Sequence, residues 1–460
     1  MNNRDQPIAY GAPGSTLDVG GSFLQSEGSG TGIDLRHFLF DLIGDISDLW
    51  DELPYPEEAE QDDRVNLEGR AERNLRKGQE RSRSRLAKKK KAEANVIRLA
   101  EVDALDLPVS STGWTHKSGS YRRCVKNELD TLLQDIGRTQ FVLSQLRHIP
   151  FIRAPTMVLD AANRLIVLRS FEFEYMDQNF MMSLLQRLDT LFTKSSVVPT
   201  AEREKNVRGK FLFCIMGWSR SYSPIPTRGI WETKNSRFIE EFLDSGEFAA
   251  VCMEMSRILE RWFPKYAARC AASNEWWKSR TQGFVAMKFG YFFNCCVNVA
   301  EATPGTPPAD VKCGPHVDYK NIAGGVCALY VIGFFNHGER CWLVCWETQL
   351  IIEIPPGIYL LYPSSLVFHW NADRREFYTG DTQMEMVTTS NWELPVPENT
   401  SPLRRISSGR GSIVFFNQAS MFQSSELDSA SVEMAKSEGK SGGTDYAAKA
   451  NEGYTSFHLL

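Results

Sequence analysis

The last third of the chain sets the strongest constraint on its fold. After Phe284 it breaks into short apolar runs at 285–299, 326–335, 341–346, 350–354, 358–362, 366–369 and 412–416. Pro355-Pro356-Gly357 and Pro363-Ser364-Ser365 stand between them as turns. Runs this short, closed by Gly and Pro corners, suit strands better than helices. A series of them predicts an antiparallel sandwich or jelly roll.

Upstream, the pattern is mixed. The stretches 156–160 and 164–169, joined through Asp160-Ala161-Ala162-Asn163, predict a β-hairpin. Helical periodicity runs over 181–192 and again from Phe238 to about Cys270. The pair Trp276-Trp277 suits a core or a seam between domains better than a ligand stack. The fold class expected is therefore α+β, a jelly roll with flanking helices and disordered tails.

The first thirty-odd residues are rich in Gly, Ser and Pro, and the tail at 426–460 is rich in Ser, Lys, Glu and Gly; both are expected to be disordered. Between them, 34–53 carries an amphipathic helical pattern with one acidic face. From Asp41 to Asp63 there are ten carboxylates and no Lys or Arg. The sign then reverses: 64–100 holds thirteen Lys and Arg against four Glu, 13 − 4 = +9. Such a basic arm reads either as a solvated, partly helical linker or as a nuclear-import or nucleic-acid-contacting segment.

The organisation expected is 1–63 disordered with a short acidic helix, 64–100 a basic helical or disordered arm, and 101–150 a linker and helix. The main domain spans 151–425, with a core at 284–425 and an insertion at 371–409, followed by the tail.

With 42% hydrophobic residues the chain can build a sizeable core, and its net charge, 52 − 57 = −5, argues against a wholly basic nucleic-acid-coating protein. The longest nearly apolar stretch, 324–335, is too short for a membrane helix. The opening Met1-Asn2-Asn3-Arg4 lacks the apolar core of a secretory signal. A soluble, intracellular protein is expected, its basic arm also compatible with a nuclear location, with no membrane partner. Several of the ten cysteines sit inside apolar runs and no CxxC pair occurs, which argues for reduced, packed thiols and against a structural zinc site.

Within the strand-rich third, Gly314-Pro315-His316-Val317-Asp318 sets an imidazole and a carboxylate two positions apart. In extended chain those side chains point the same way. His369 closes the run Leu366-Val367-Phe368-His369. Two histidines and one carboxylate are the donor set of mononuclear non-haem iron(II), which keeps coordination positions open, whereas zinc favours a tetrahedron of three or four N/S ligands. Spacing alone leaves a second reading open, that both histidines merely satisfy internal hydrogen bonds.

The runs His316-Val317-Asp318-Tyr319-Lys320-Asn321, Gly324-Gly325-Val326-Cys327, Leu343-Val344-Cys345-Trp346-Glu347, Ile352-Glu353-Ile354-Pro355-Pro356-Gly357 and Pro363-Ser364-Ser365-Leu366-Val367-Phe368-His369 carry more. They resemble the fungal Fe(II)/2-oxoglutarate-dependent dioxygenases, in particular the set related to the ten-eleven translocation and J-binding-protein oxygenases. The resemblance covers about 284–422. It implies a double-stranded β-helix with iron held by His316, Asp318 and His369, and with 2-oxoglutarate and dioxygen as cosubstrates.

It also implies an arginine for the far carboxylate of 2-oxoglutarate, a task suited to a planar bidentate fork. Arg410, which opens the run Arg410-Gly411-Ser412-Ile413-Val414-Phe415-Phe416, matches best, although it lies 410 − 369 = 41 residues past His369, further than the family places it. Arg374, Arg375, Arg404 and Arg405 are its rivals. Asn321 is a turn residue that could also orient Asp318. His337 has no catalytic reading. The narrower resemblance implies a methylated nucleobase such as 5-methylcytosine in DNA as substrate, with the basic arm contacting phosphate. A prolyl-type or small-molecule hydroxylase, or an inactive jelly-roll binding module, stays open beside it.

Overall fold

The computed structural model describes residues 92–196, 206, 208–220, 224–376 and 405–454. All of them belong to one unit, Ala59–Leu460; the other unit, Met1–Glu58, lies outside the described residues. So do the acidic helix, most of the basic arm and most of the insertion read from the sequence.

The strands, in chain order, are β1 (Asn95–Arg98), β2 (Arg147–Ile149), β3 (Thr156–Leu159), β4 (Leu165–Arg169), β5 (Leu212–Ser219), β6 (Thr227–Arg228) and β7 (Asn294–Val299). They continue with β8 (Cys327–Ile332), β9 (Trp342–Cys345), β10 (Leu350–Ile352), β11 (Tyr359–Tyr362), β12 (His369–Ala372) and β13 (Gly411–Phe416). Nine form one sheet in the order β1-β3-β4-β11-β8-β13-β7-β5-β6, and four form a second, β12-β9-β10-β2. All pairs are antiparallel except β1 with β3 and β10 with β2. The molecule is thus a mixed α+β fold with one large sheet, one small sheet and flanking helices.

The small sheet is apolar on both faces because it is covered twice. Alternation along β9 turns Leu343 and Cys345 toward the core shared with the large sheet. Trp342 and Val344 point the other way and pack, with Trp370 and Ile351, against Leu129, Leu132 and Leu143. Those leucines come from the helices Gly119–Gln134 and Ile136–Ser144.

The expected hairpin is present as β3 and β4. Asp160 makes its turn, its Oδ1 accepting from the Ala162 and Arg164 amides, and Asn163 takes the left-handed φ of 62° that closes it. The helical stretch expected from Phe238 to Cys270 is three helices: Ser236–Leu243, Gly246–Trp262 and Pro264–Arg280. Ser245 caps the second by accepting from the Phe248 amide, and Pro264 opens the third, where its missing N–H costs nothing.

Two boundaries need correction. The sheets begin before residue 151: β1 pairs with β3, and β2 pairs with β10, so parts of the supposed arm and linker belong to the fold. The described part of the expected tail, 426–454, is ordered. It forms the helices Val432–Ser437 and Tyr446–Tyr454, with Ala435 and Ala450 fully buried. The Trp114 indole donates to the Gly442 carbonyl (3.1 Å), and the Tyr446 hydroxyl donates to the Ala104 carbonyl (2.8 Å). Composition suggested disorder, but a few small and aromatic side chains anchor the segment. No described helix is long and apolar enough to cross a membrane.

Candidate metal centre

Backbone pairing brings the three expected donors together. The His316 amide donates to the His369 carbonyl (3.2 Å), and the His369 amide donates to the His316 carbonyl (2.9 Å). Residues that exchange both bonds in an antiparallel pair project their side chains to the same face. The two imidazole centroids accordingly lie 4.2 Å apart. Asp318, two positions beyond His316, falls on the same side, with its amide donating to the Ser364 carbonyl (3.0 Å). One donor atom from each of His316, Asp318 and His369 lies within 4.8 Å of the others, the one such group among the described residues.

Hydrogen bonding fixes the imidazole tautomers. His316 Nδ1 lies 2.8 Å from the Gly314 carbonyl and His369 Nδ1 lies 2.9 Å from the Val367 carbonyl. A carbonyl can only accept, so each Nδ1 carries the proton and each Nε2 keeps a lone pair. Burial, joined by the neighbouring His369 and Arg208 and opposed by Asp318, holds His316 well below its usual range. Burial likewise lowers His369, against the pull of Asp318.

For Asp318 burial works against ionisation, yet Arg208, the two histidines and Ser364 together hold the carboxyl below its ordinary value. Two neutral imidazoles and one carboxylate are the protonation state in which a divalent ion is bound. The donor set fits iron(II) by type and by count.

The donors line a cavity of about 70 Å³ between the two sheets, shared with Arg208, Tyr362, Asn371 and Arg410. Arg410 is 4% exposed, and its Nη1 donates to the Val311 carbonyl (2.9 Å) and to Asn371 Oδ1 (3.3 Å). Its Nε and Nη2 have no hydrogen-bond partner among the described residues, which leaves one two-pronged edge of the guanidinium available.

The rivals named from the sequence are elsewhere. Arg374 pairs with Glu339 (2.6 Å), Arg375 sits by Asp373 (3.6 Å) and Arg405 by Glu301 (3.4 Å); none lines the cavity. Arg404 lies outside the described residues. Asn321 donates its amide to the Asp318 carbonyl (2.8 Å) and its Nδ2 to Ser364 Oγ (3.4 Å), which braces the turn and leaves the Asp318 carboxylate alone. His337 lies 3.8 Å from Glu353, away from the three donors.

Sequence reasoning missed two residues. Arg208, whose Nη2 donates to Asp318 Oδ1 at 2.6 Å, sits in the sequence among Arg203, Lys205 and Lys210 with no motif to single it out. Asn371, which holds Arg410, did carry a signal: it is two positions past His369 and shares its face of β12.

No family model matches the sequence, and no curated protein matches it. Among the solved structures that overlap this chain are three of low similarity. NgTET1 in complex with 5mC DNA does so with a TM-score of 0.37 and 11% identity over 63% of this chain and 90% of that one. A 2OG-Fe(II) oxygenase family oxidoreductase from Burkholderia pseudomallei gives 0.27 and 11% over 54% and 84%. OsALKBH1 gives 0.27 and 13% over 55% and 96%. Overlaps of this size assign neither fold nor activity to this chain.

Proposed function

We propose that this chain is an iron(II)- and 2-oxoglutarate-dependent dioxygenase with a double-stranded β-helix core, and that it hydroxylates a C–H bond of a methylated nucleobase of the 5-methylcytosine type in DNA. The observation that supports it most is the convergence of the His316, Asp318 and His369 donors on one side of a cavity that also holds the buried Arg410. The nucleobase assignment rests on the sequence resemblance around these motifs. Iron(II) with 2-oxoglutarate and dioxygen, when bound, supplies the oxidising power for an unactivated C–H bond.

The chain's own residues do the rest. His316 and His369 offer Nε2 because Gly314 and Val367 hold their other nitrogens, and Asp318 offers a carboxylate oxygen. Arg410 presents its open edge to the far carboxylate of 2-oxoglutarate, braced by Asn371 and the Val311 carbonyl. Tyr362, packed edge-on against His369 with centroids 5.2 Å apart, keeps its hydroxyl protonated through burial and closes an apolar side of the cavity. A base in a duplex has to leave its stack to reach such a cavity.

Purified protein given iron(II), 2-oxoglutarate, dioxygen and methylated duplex DNA tests this. The reading predicts succinate together with hydroxymethylcytosine. Succinate formed only with a prolyl peptide or a small molecule would move the substrate to those classes. No metal binding at all would leave a jelly-roll binding module.

A further inference from the structure

Beside the cavity lies a group of cations that form no ion pair among the described residues. Asp318 and Asn321 line the cavity, while Tyr319 and Lys320 between them are exposed, Tyr319 by 43%. These two residues therefore stand on the cavity's rim. The Arg122 guanidinium lies 4.0 Å over the Tyr319 ring and also donates to the Lys117 carbonyl (2.7 Å). The Lys117 ammonium in turn sits 5.1 Å over Tyr121. Arg122 and Arg123 both fold back over the first turn of Gly119–Gln134: a Cβ on Gly119 would meet Arg123 Nη1 at 3.3 Å and Arg122 Nη2 at 3.5 Å.

That arrangement is electrostatically unfavourable in the free protein. Two guanidinium groups gather at the positive end of a helix whose first turn contains no acidic residue. Lys117, Arg122, Arg123 and Lys320 have no ion-pair partner among the described residues. A polyanion laid across them would relieve the repulsion.

Tyr319 narrows the choice of polyanion. Arg122 covers one face of its ring while the residue stays 43% exposed, and nucleobases offer a π-face that acidic side chains lack. We infer that Lys117, Arg122, Arg123 and Lys320 form a phosphodiester-binding surface on the rim of the metal cavity, with Tyr319 as a stacking platform, so that a nucleic-acid strand is held where one of its bases reaches the cavity. This inference deepens the nucleic-acid reading above and rests on it.

The test uses the full chain and a short fluorescein-labelled DNA duplex carrying 5-methylcytosine, followed by anisotropy across a potassium chloride series. The basic segment upstream contributes equally to every variant, so differences report on the rim. Arg122→Ala/Arg123→Ala should bind at least about tenfold more weakly, and two lost phosphate contacts should reduce the salt slope by about 1.8. Lys320→Glu, at an exposed position, should weaken binding in the same direction if the double variant fails to fold. Tyr319→Ala should weaken binding with an unchanged salt slope.

Affinity and slope equal to the parent's in both charge variants would overturn the surface. So would tighter binding of a glutamate-rich peptide through the same residues. The two readings fail separately. DNA binding that depends on the rim, without hydroxymethylcytosine formation, would count against the nucleobase chemistry alone. Hydroxymethylcytosine formed at parental affinity by the rim variants would count against the surface alone.

Discussion

At the scale of single residues, the account depends on side chains held in place by backbone bonds. His316 and His369 face each other because their main chains pair, so removing one imidazole should empty the metal site and leave the strands intact. His316→Ala and Asp318→Ala are expected to abolish binding of manganese(II), used as a redox-stable stand-in for iron(II), with little change in the melting temperature of metal-free protein. A large loss of melting temperature would show instead that these side chains serve the core. Arg410→Ala removes charge-assisted donors worth about 1.5–3 kcal/mol each. The 2-oxoglutarate concentration for half-maximal succinate formation should rise on the order of tenfold to a hundredfold. An unchanged requirement would pass the role to Arg208, the other arginine in the cavity.

At the scale of elements, the strand carrying His369 starts where a half-buried carboxylate ends an irregular stretch. Sequence periodicity places a strand at 366–369, but β12 begins at His369, because the Phe368 amide donates to Glu347 Oε2 (2.7 Å) rather than to a neighbouring strand. Burial pushes Glu347 up to about 7, against its own backbone and the Phe368 amide, from an ordinary 4.5. A carboxyl raised in this way favours folding while protonated, and the advantage fades as pH rises from about 4.5 through about 7. Glu347→Gln keeps an acceptor for Phe368 and never ionises. Its stability relative to the parent should therefore increase between pH 5 and pH 8 by about 2 kcal/mol, read from urea midpoints. A difference independent of pH would mean that Glu347 is not strained.

The same contrast shows what sequence can reveal about elements. The β3–β4 hairpin was legible because Asp160 and Asn163 act locally. The helical periodicity at 238–270 was legible, but its division into three helices was not, because the apolar period runs on through Ser245 and Pro264, which mark the real ends. The run 285–299 yielded a strand only at Asn294–Val299; ahead of it Gly290 takes a φ of 60° and Phe292 bonds back to Phe289, a turn hidden among apolar residues.

At the scale of the whole molecule, the convergence of His316, Asp318 and His369 was legible because two imidazoles and a carboxylate at that spacing suit one divalent ion. Arg208 and the extended boundaries were not, since they depend on contacts between segments far apart in the chain. The region after 426 is the clearest case: its polar composition hides the anchors Tyr446 and Ala450. Truncation after Leu427 would expose Trp114 and Ala104 and should lower the melting temperature by several degrees or yield insoluble protein. A truncated chain melting with the parent would show the segment to be dispensable. The central claim is that residues far apart along the chain hold a single divalent ion. Titration with manganese(II), read by the loss of its free-ion paramagnetic resonance signal, tests it directly: one ion per parent chain, and none in His316→Ala, Asp318→Ala or His369→Ala. Undiminished binding in all three variants would contradict it.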